Sequence, residues 1–156
     1  GGRETPRGRD LVKPFLPDTN LLIALFWPSH SHHDSAIRWF VENRSRGWAT
    51  CPMTEAAYIR IVSNPAFSRD AVTPVQALAL LHENAKSGDH QFWADDISAQ
   101  EALGRFAKRL VGHQQVTDAY LLALAIRRDG VLASFDAGIT ELLEDKARQS
   151  GSLEIL

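Results

Sequence analysis

The chain has 156 residues, 17 Lys and Arg against 19 Asp and Glu, and a formal net charge of -2. At 44% hydrophobic and 23% charged residues it can bury one ordinary globular core, which excludes disorder as its general state. Its single cysteine, Cys51, excludes an intrachain disulfide framework and a cysteine-rich zinc site, and the near-neutral balance excludes a global basic field for nucleic acid.

Residues 1–14 are polar, rich in Gly and Arg and aperiodic, and are expected to be a flexible lead-in or a remnant foreign to the domain at 15–156. Phe15 to Pro17 predicts a short buried strand, with Asp18 at its carboxyl end. Leu21, Leu22, Ala24, Leu25 and Phe26 then recur at helical spacing until Pro28. A second helix carries Ala36, Ile37, Phe40 and Val41 and stops before Gly47. Trp48 to Cys51 predicts a strand, and Pro52 and Thr54 open a helix that Asn64-Pro65 ends. Thr73-Pro74-Val75-Gln76 is a capping box, predicting a helix to about Gly88. His90 to Trp93 predicts a strand, and Ser98-Ala99-Gln100-Glu101 a second box with a helix through about Leu110. Thr117 is expected to cap a helix over Asp118 to Arg128, ended by Gly130 and followed by a strand over Val131 to Ser134. Gly151 to Leu156 predicts a last strand. Apolar strands alternating with helices imply an α/β domain with a central, mostly parallel sheet covered on both faces. No apolar run approaches the roughly 20 residues that a bilayer demands, and no basic-then-apolar leader opens the sequence, so a cytoplasmic protein without a membrane role is expected.

In such a sheet, ligands bind beyond the carboxyl ends of the strands. Four acids fall there: Asp18 after the first strand, Glu55 in the helix after Trp48, Asp118 in the helix after Val116, and Asp136 after Ser134. Each has a small polar companion in Asn20, Thr54, Thr117 or Ser134, suited to capping amides or orienting ligands from behind. Acids in a first helical turn also favour the helix dipole without any function. Asp18, set between Leu16 and Leu22, is harder to dismiss, because a buried carboxylate is costly unless paired or bound to metal. Four carboxylates gathered at one sheet edge would repel one another without a cation, and oxygen donors favour Mg²⁺ or Mn²⁺.

The strings LPDTNLLIALFWPSHSHHDSAIRWF, WATCPMTEAAYIRIVSNPAF and GHQQVTDAYLLALAIRRDGVLASFD resemble the PIN-domain ribonucleases, specifically the VapC toxins of bacterial toxin-antitoxin pairs. The likeness runs from about Phe15 to the end of the chain. It departs from the family pattern at Pro17, where a branched apolar residue is usual, and at Ser134, where Thr is common. The resemblance implies a three-layer α/β/α PIN fold and a Mg²⁺- or Mn²⁺-dependent endoribonuclease that cleaves RNA with metal-activated water. It implies that Asp18, Glu55, Asp118 and Asp136 form the catalytic site, with Asp18, Asp118 and Asp136 holding one or two ions and Glu55 positioning or deprotonating the attacking water. It further implies a bacterial cytoplasmic setting, a homodimer, tRNA or ribosomal RNA as substrate, and a VapB-type antitoxin that covers the acidic groove.

Arg105, Lys108, Arg109 and His113 form a local basic stretch before Asp118, and Arg60 follows Glu55 by five residues; these are candidate RNA contacts. His30, His32 and His33 read as loop histidines rather than a transition-metal site, and Trp27 and Trp93 as core rather than base-stacking residues. Three alternatives compete: a dehalogenase-like or receiver-type phosphate enzyme, a PIN nuclease of RNA maturation, and a PIN-like RNA-binding module without activity. The first is disfavoured because Asn20 stands where the dehalogenase family needs a second Asp, and because Lys108 and Lys146 are expected on helical stretches. The binding module is disfavoured because all four acids are present.

Overall fold

A computed structural model describes residues 12–144 and 150–156. Most of the lead-in, Lys146 and the remainder of 145–149 lie outside the described residues. Five strands, β1 (Phe15–Pro17), β2 (Trp48–Thr50), β3 (His90–Phe92), β4 (Val131–Ser134) and β5 (Leu153–Ile155), form one sheet in the order β3-β2-β1-β4-β5. Every pairing is parallel, so the sheet is wholly rather than mostly parallel. Two helices precede β2, α1 (Thr19–Phe26) and α2 (His33–Asn43); two precede β3, α3 (Pro52–Val62) and α4 (Pro74–Asn84); two precede β4, α5 (Ala99–Gly104) and α6 (Val116–Arg127).

Strand alternation sorts the core into two halves. Phe15, Trp48, Val131 and Ala133 pack with Leu21, Leu25, Tyr58 and Leu81 of α1, α3 and α4. Leu16, Ala49 and Leu132 pack on the opposite face with Ala102 of α5 and Leu121 and Leu124 of α6. The result is a three-layer α/β/α sandwich. The chain leaves β1 towards β2 and β3 on one side and returns to β4 and β5 on the other, so the order reverses beside β1. That reversal opens the crevice at which parallel sheets take their ligands. Pro17 fits in mid-sheet because it ends its strand, and the next donor, the Asp18 N–H, reaches the Ala133 carbonyl at 2.9 Å.

The chemistry of the caps explains where the sequence reading succeeds. Thr73 Oγ1 accepts from the Gln76 N–H while Gln76 Oε1 accepts from the Thr73 N–H, a complete capping box. At Ser98 only half of the box forms: its hydroxyl takes the Glu101 N–H, whereas the Glu101 carboxylate stands 3.5 Å from Arg127. The following helix ends at Gly104 rather than near Leu110, and the chain turns through 105–109, so Lys108 is on a turn. Likewise α4 stops at Asn84, short of Gly88.

Thr117 is not the cap of α6. A 3-10 turn at His113–Gln115 feeds directly into the helix, so Thr117 already sits in its first turn, and the Gln115 side chain takes up the free N–H groups of Val111 and Gly112. At the other end of α6 the Asp129 N–H bonds the Ile126 carbonyl and the Gly130 N–H bonds the Ala125 carbonyl, a Schellman arrangement in which Asp129, at φ 51°, takes the left-handed position. Gly130 is needed for another reason: a Cβ there would lie 2.6 Å from Trp93 Cη2 and 2.8 Å from the Pro14 carbonyl oxygen. Gly47, at φ 90°, does end the turn after α2 as a glycine should.

Candidate active site

Asp18 is the first residue past β1, and its carboxyl group caps α1: Oδ1 accepts the Leu21 N–H at 2.8 Å, and Oδ2 accepts the Ser134 hydroxyl. It is only 6% exposed. Burial raises its pKa, the two hydrogen bonds oppose that, and the charge of Asp136 raises it further. Ser134, fully buried at the end of β4, also accepts the Asp136 N–H at 2.9 Å, so one hydroxyl ties the ends of β1 and β4 together. Asp136 caps the 3-10 segment at Ala137–Leu142 through the Gly138 N–H at 2.9 Å.

Asp118 projects from the first turn of α6 into a cavity of about 200 Å³ lined also by Asp136, Gln114, Gln115 and Gly138. Its pKa is pushed up to about 6, chiefly by burial and then by the charges of Asp18 and Asp136. Asp118 and Asp136 thus line one cavity, and the buried Asp18 is near enough for its charge to act on Asp118. Among the described residues none of the three forms an ion pair with Lys or Arg, so hydrogen bonds alone offset their charge there. Hard oxygen donors with excess negative charge suit Mg²⁺ or Mn²⁺. The side chains do not converge: among the described residues no three acids, histidines or cysteines are gathered tightly enough to hold a metal by themselves. A cation there would complete its shell with water, as Mg²⁺ usually does.

Glu55 stands apart from this trio. It lies in the first turn of α3, and its Oε2 accepts the Thr50 hydroxyl at 2.5 Å. Because β2 adjoins β1 in the sheet, Thr50 and Glu55 belong to the same carboxyl edge as Asp18.

The companion residues behave differently from one another. Ser134 bridges two acids. Thr54 is buried and turned inward, its Oγ1 taking the Cys51 N–H at 3.1 Å to start α3. Asn20 Oδ1 lies 3.3 Å from His30 Nε2, and Thr117 is exposed. His30 Nδ1 accepts the His32 N–H, and His33 Nδ1–H donates to the Ala24 carbonyl at 2.7 Å, so two of the three histidines tie α1 to α2. Trp27 and Trp93 are buried in the core.

The basic candidates divide as well. His113 begins the turn that leads into the cleft through Gln114, and Arg109 offers its carbonyl to Gln115 Nε2. Arg60 is exposed in the last turn of α3. Arg105 lines a cavity with Lys13, Asp129 and Gly130, at the amino ends of β1 and β4, which is the wrong edge of the sheet for the acids. The early end of α5 puts it there. The sequence reading missed Thr50, His90, Gln114 and Gln115; a polar Thr closing an otherwise apolar strand was the one available signal.

A family model described as PIN domain matches residues 15–143. The chain belongs to the PIN-domain family, among the VapC ribonucleases. It is 40% identical over 141 residues to Ribonuclease VapC39 of Mycobacterium tuberculosis, covering 90% of this chain and 98% of that protein. To Ribonuclease VapC38 of the same organism it is 41% identical over 133 residues, covering 85% and 92%. Among solved structures, VapBC2 from Rickettsia felis bound to a DNA fragment from its promoter superposes with a TM-score of 0.56 at 13% identity, covering 92% of this chain and 98% of that one. That likeness is one of fold. Among the described residues no helix of this VapC protein is long and apolar enough to cross a membrane.

Proposed function

We propose that this VapC-family protein is a Mg²⁺- or Mn²⁺-dependent endoribonuclease toxin, held in check by a VapB-type antitoxin. One observation carries the reading: Asp118 and Asp136 line one cavity at the carboxyl edge of the sheet, the charges of Asp18 and Asp136 raise the proton affinity of Asp118, and none of the three pairs with a Lys or Arg among the described residues. The ribonuclease names of relatives at about 40% identity support the same chemistry.

Asp18, Asp118 and Asp136 would hold the cation, which when bound supplies charge for the phosphate and makes an attacking water more acidic. Ser134 fixes the orientation of Asp18. The Oε1 of Glu55, which accepts no hydrogen bond among the described residues, takes the proton of that water as it attacks phosphorus. Gln114 faces the cleft and presents an amide donor to a phosphate oxygen. His113, Arg109 and Arg60 extend the RNA contact along the surface, and Arg105 is left out of it. The products are a 5′ phosphate and a 3′ hydroxyl. The solved VapBC2 complex supports a VapB-type partner, whose C-terminal segment would set an Arg against the carboxylates. A homodimer and a cytoplasmic site of action complete the reading.

Calorimetric titration of Mn²⁺ into wild type and Asp118→Asn, both shown folded by circular dichroism, tests it together with cleavage of tRNA and ribosomal RNA with and without EDTA. The expected result is binding and chelator-sensitive cleavage by wild type, both lost in Asp118→Asn. Cleavage that survives in Asp118→Asn or in EDTA overturns it.

A further inference from the structure

Behind Glu55 lies a half-buried chain of polar side chains that takes no part in the chemistry proposed above. Thr50 is the last residue of β2 and is fully buried, an expensive place for a hydroxyl unless its hydrogen bonds are met. Its Oγ1 lies 2.5 Å from Glu55 Oε2 and 2.8 Å from His90 Nε2. A carboxylate has no hydrogen to give, so the hydroxyl must spend its only hydrogen on Glu55. Towards His90 the same oxygen can then only accept, and His90 must carry its hydrogen on Nε2. The polarity of the whole chain follows: His90 donates to Thr50, and Thr50 donates to Glu55.

His90 is itself fixed. It opens β3 in register with Trp48, and its ring lies against the Trp48 ring, centroids 4.6 Å apart and planes tilted by 59°. The Trp48 indole is anchored in turn to Asp89 Oδ1 at 3.1 Å. Partial burial lowers the proton affinity of His90, consistent with a neutral ring that has one N–H to donate, although the charges of Glu55 and Asp89 oppose that effect. Hydrogen bonds in such a chain polarise one another, and the Thr50 to Glu55 distance is that of a charge-assisted contact.

We infer that Thr50 and His90 are positioning residues for Glu55: the half-buried His90-Thr50-Glu55 chain pins Oε2 so that Oε1 faces the water that attacks the RNA phosphodiester. This rests on the role given to Glu55 above. Neither residue touches the substrate. Their effect is on the orientation of one carboxylate, so it falls on kcat and passes through Glu55.

Two measurements test it. Long-range ¹H–¹⁵N correlation spectra of the metal-free protein report the His90 tautomer, with a neutral Nε2–H ring expected; an Nδ1–H ring reverses the chain and overturns the inference whatever the protein cleaves. Kinetics with Mn²⁺ then use the transcript cut by wild type in a screen of tRNA and ribosomal RNA. Thr50→Val and His90→Phe should each lower kcat by roughly tenfold or more with KM unchanged, while Thr50→Ser and His90→Gln, which keep a donor in place, recover most of it. In a Glu55→Ala background neither substitution should cost anything further, because its effect runs through the missing carboxylate. A loss that persists in that background, or that falls on KM, reduces the pair to a packing role. Should Thr50→Val fail to fold, His90→Phe and His90→Gln carry the same comparison. A folded wild type that cuts no RNA defeats the nuclease reading and the kinetic role of the pair with it, and the tautomer still decides the direction of the chain.

Discussion

Ser134 donates its hydroxyl hydrogen to Asp18 Oδ2 and, on the same oxygen, receives the Asp136 N–H, so the ends of two adjacent strands are joined through a side chain that no solvent reaches. Removing it costs a charge-assisted hydrogen bond to a buried carboxylate and frees the carboxyl group of Asp18 to rotate. Ser134→Ala is therefore expected to keep the fold while weakening Mn²⁺ affinity by roughly 10- to 100-fold, the usual effect of deleting a partner behind a ligand. Calorimetry on the folded variant checks this. Unchanged affinity would show that Asp18 needs no support from Ser134.

Asp118 is a site where function and stability oppose each other. Its pKa stands at about 6 in the fold against an ordinary 3.8, so the fold favours its protonated form. The stability linked to that proton is complete below about pH 4, is lost as pH rises through 6, and remains absent above it. Metal-free wild type should thus lose stability between pH 4 and 6, and Asp118→Asn should flatten that slope. Because Asp118 is only half-buried, solvent screening reduces the effect to the order of 1 kcal/mol, or about 2–4 °C in Tm at pH 7.5 for a chain of this size. Thermal melts in EDTA across pH measure it. Mn²⁺ should reverse the order by stabilising wild type alone, and a variant less stable than wild type in EDTA would refute the argument.

The positions of Asp18 and Asp136 could be read from the sequence because each follows a short apolar run that has little choice but to be a strand. The same is true of the Thr73 box, where Thr73, Pro74 and Gln76 agree. The sequence misleads where a side chain has a distant competitor. Glu101 turns to Arg127 instead of closing its own box, and the helix after Ser98 ends already at Gly104, which moves Arg105 to the far edge of the sheet. Thr117 looks like a cap, but the 3-10 turn at His113–Gln115 runs straight into the helix and leaves Thr117 inside its first turn, which local propensity does not disclose. The His90-Thr50-Glu55 chain was invisible for a deeper reason: it depends on the register of β2 with β3, and register is a tertiary fact.

Asp89, before β3, binds Arg44 Nε at 2.7 Å and Nη2 at 3.3 Å, the Trp48 indole and the Ser87 hydroxyl. These contacts, led by Arg44, hold its carboxyl well below the usual carboxylate range. A lowered folded pKa contributes stability above the unfolded value of about 3.8, and that contribution is lost as pH falls below it. Asp89→Ala should lower stability by about 1–3 kcal/mol at pH 7, since the buried Trp48 N–H is left without an acceptor, and the gap to wild type should narrow below pH 4. Urea melts at pH 7 and pH 3 measure both. An equal gap at the two values would mean that packing rather than charge carries the loss.

Gly130 is the position where one methyl group should matter most for the fold without touching the acids. Its place after the left-handed Asp129 does not itself demand glycine, since its own φ is not positive. The close approach does: the Pro14 carbonyl before β1 and the Trp93 ring both stand within 2.8 Å of where a Cβ would be, and the backbone atom cannot swing aside as a flexible side chain could. The Val131 N–H also bonds the Pro14 carbonyl at 2.9 Å, so relief of the clash would strain the pairing of β1 with β4 at its first rung. Gly130→Ala is expected to cost about 1–3 kcal/mol as an overpacking change. Because the strain enters at the amino edge of the sheet, Mn²⁺ affinity of the folded fraction should stay at the wild-type value. Chemical denaturation paired with calorimetry separates the two effects, and a stable variant with impaired metal binding would show that the amino edge and the cleft are coupled through β1 and β4.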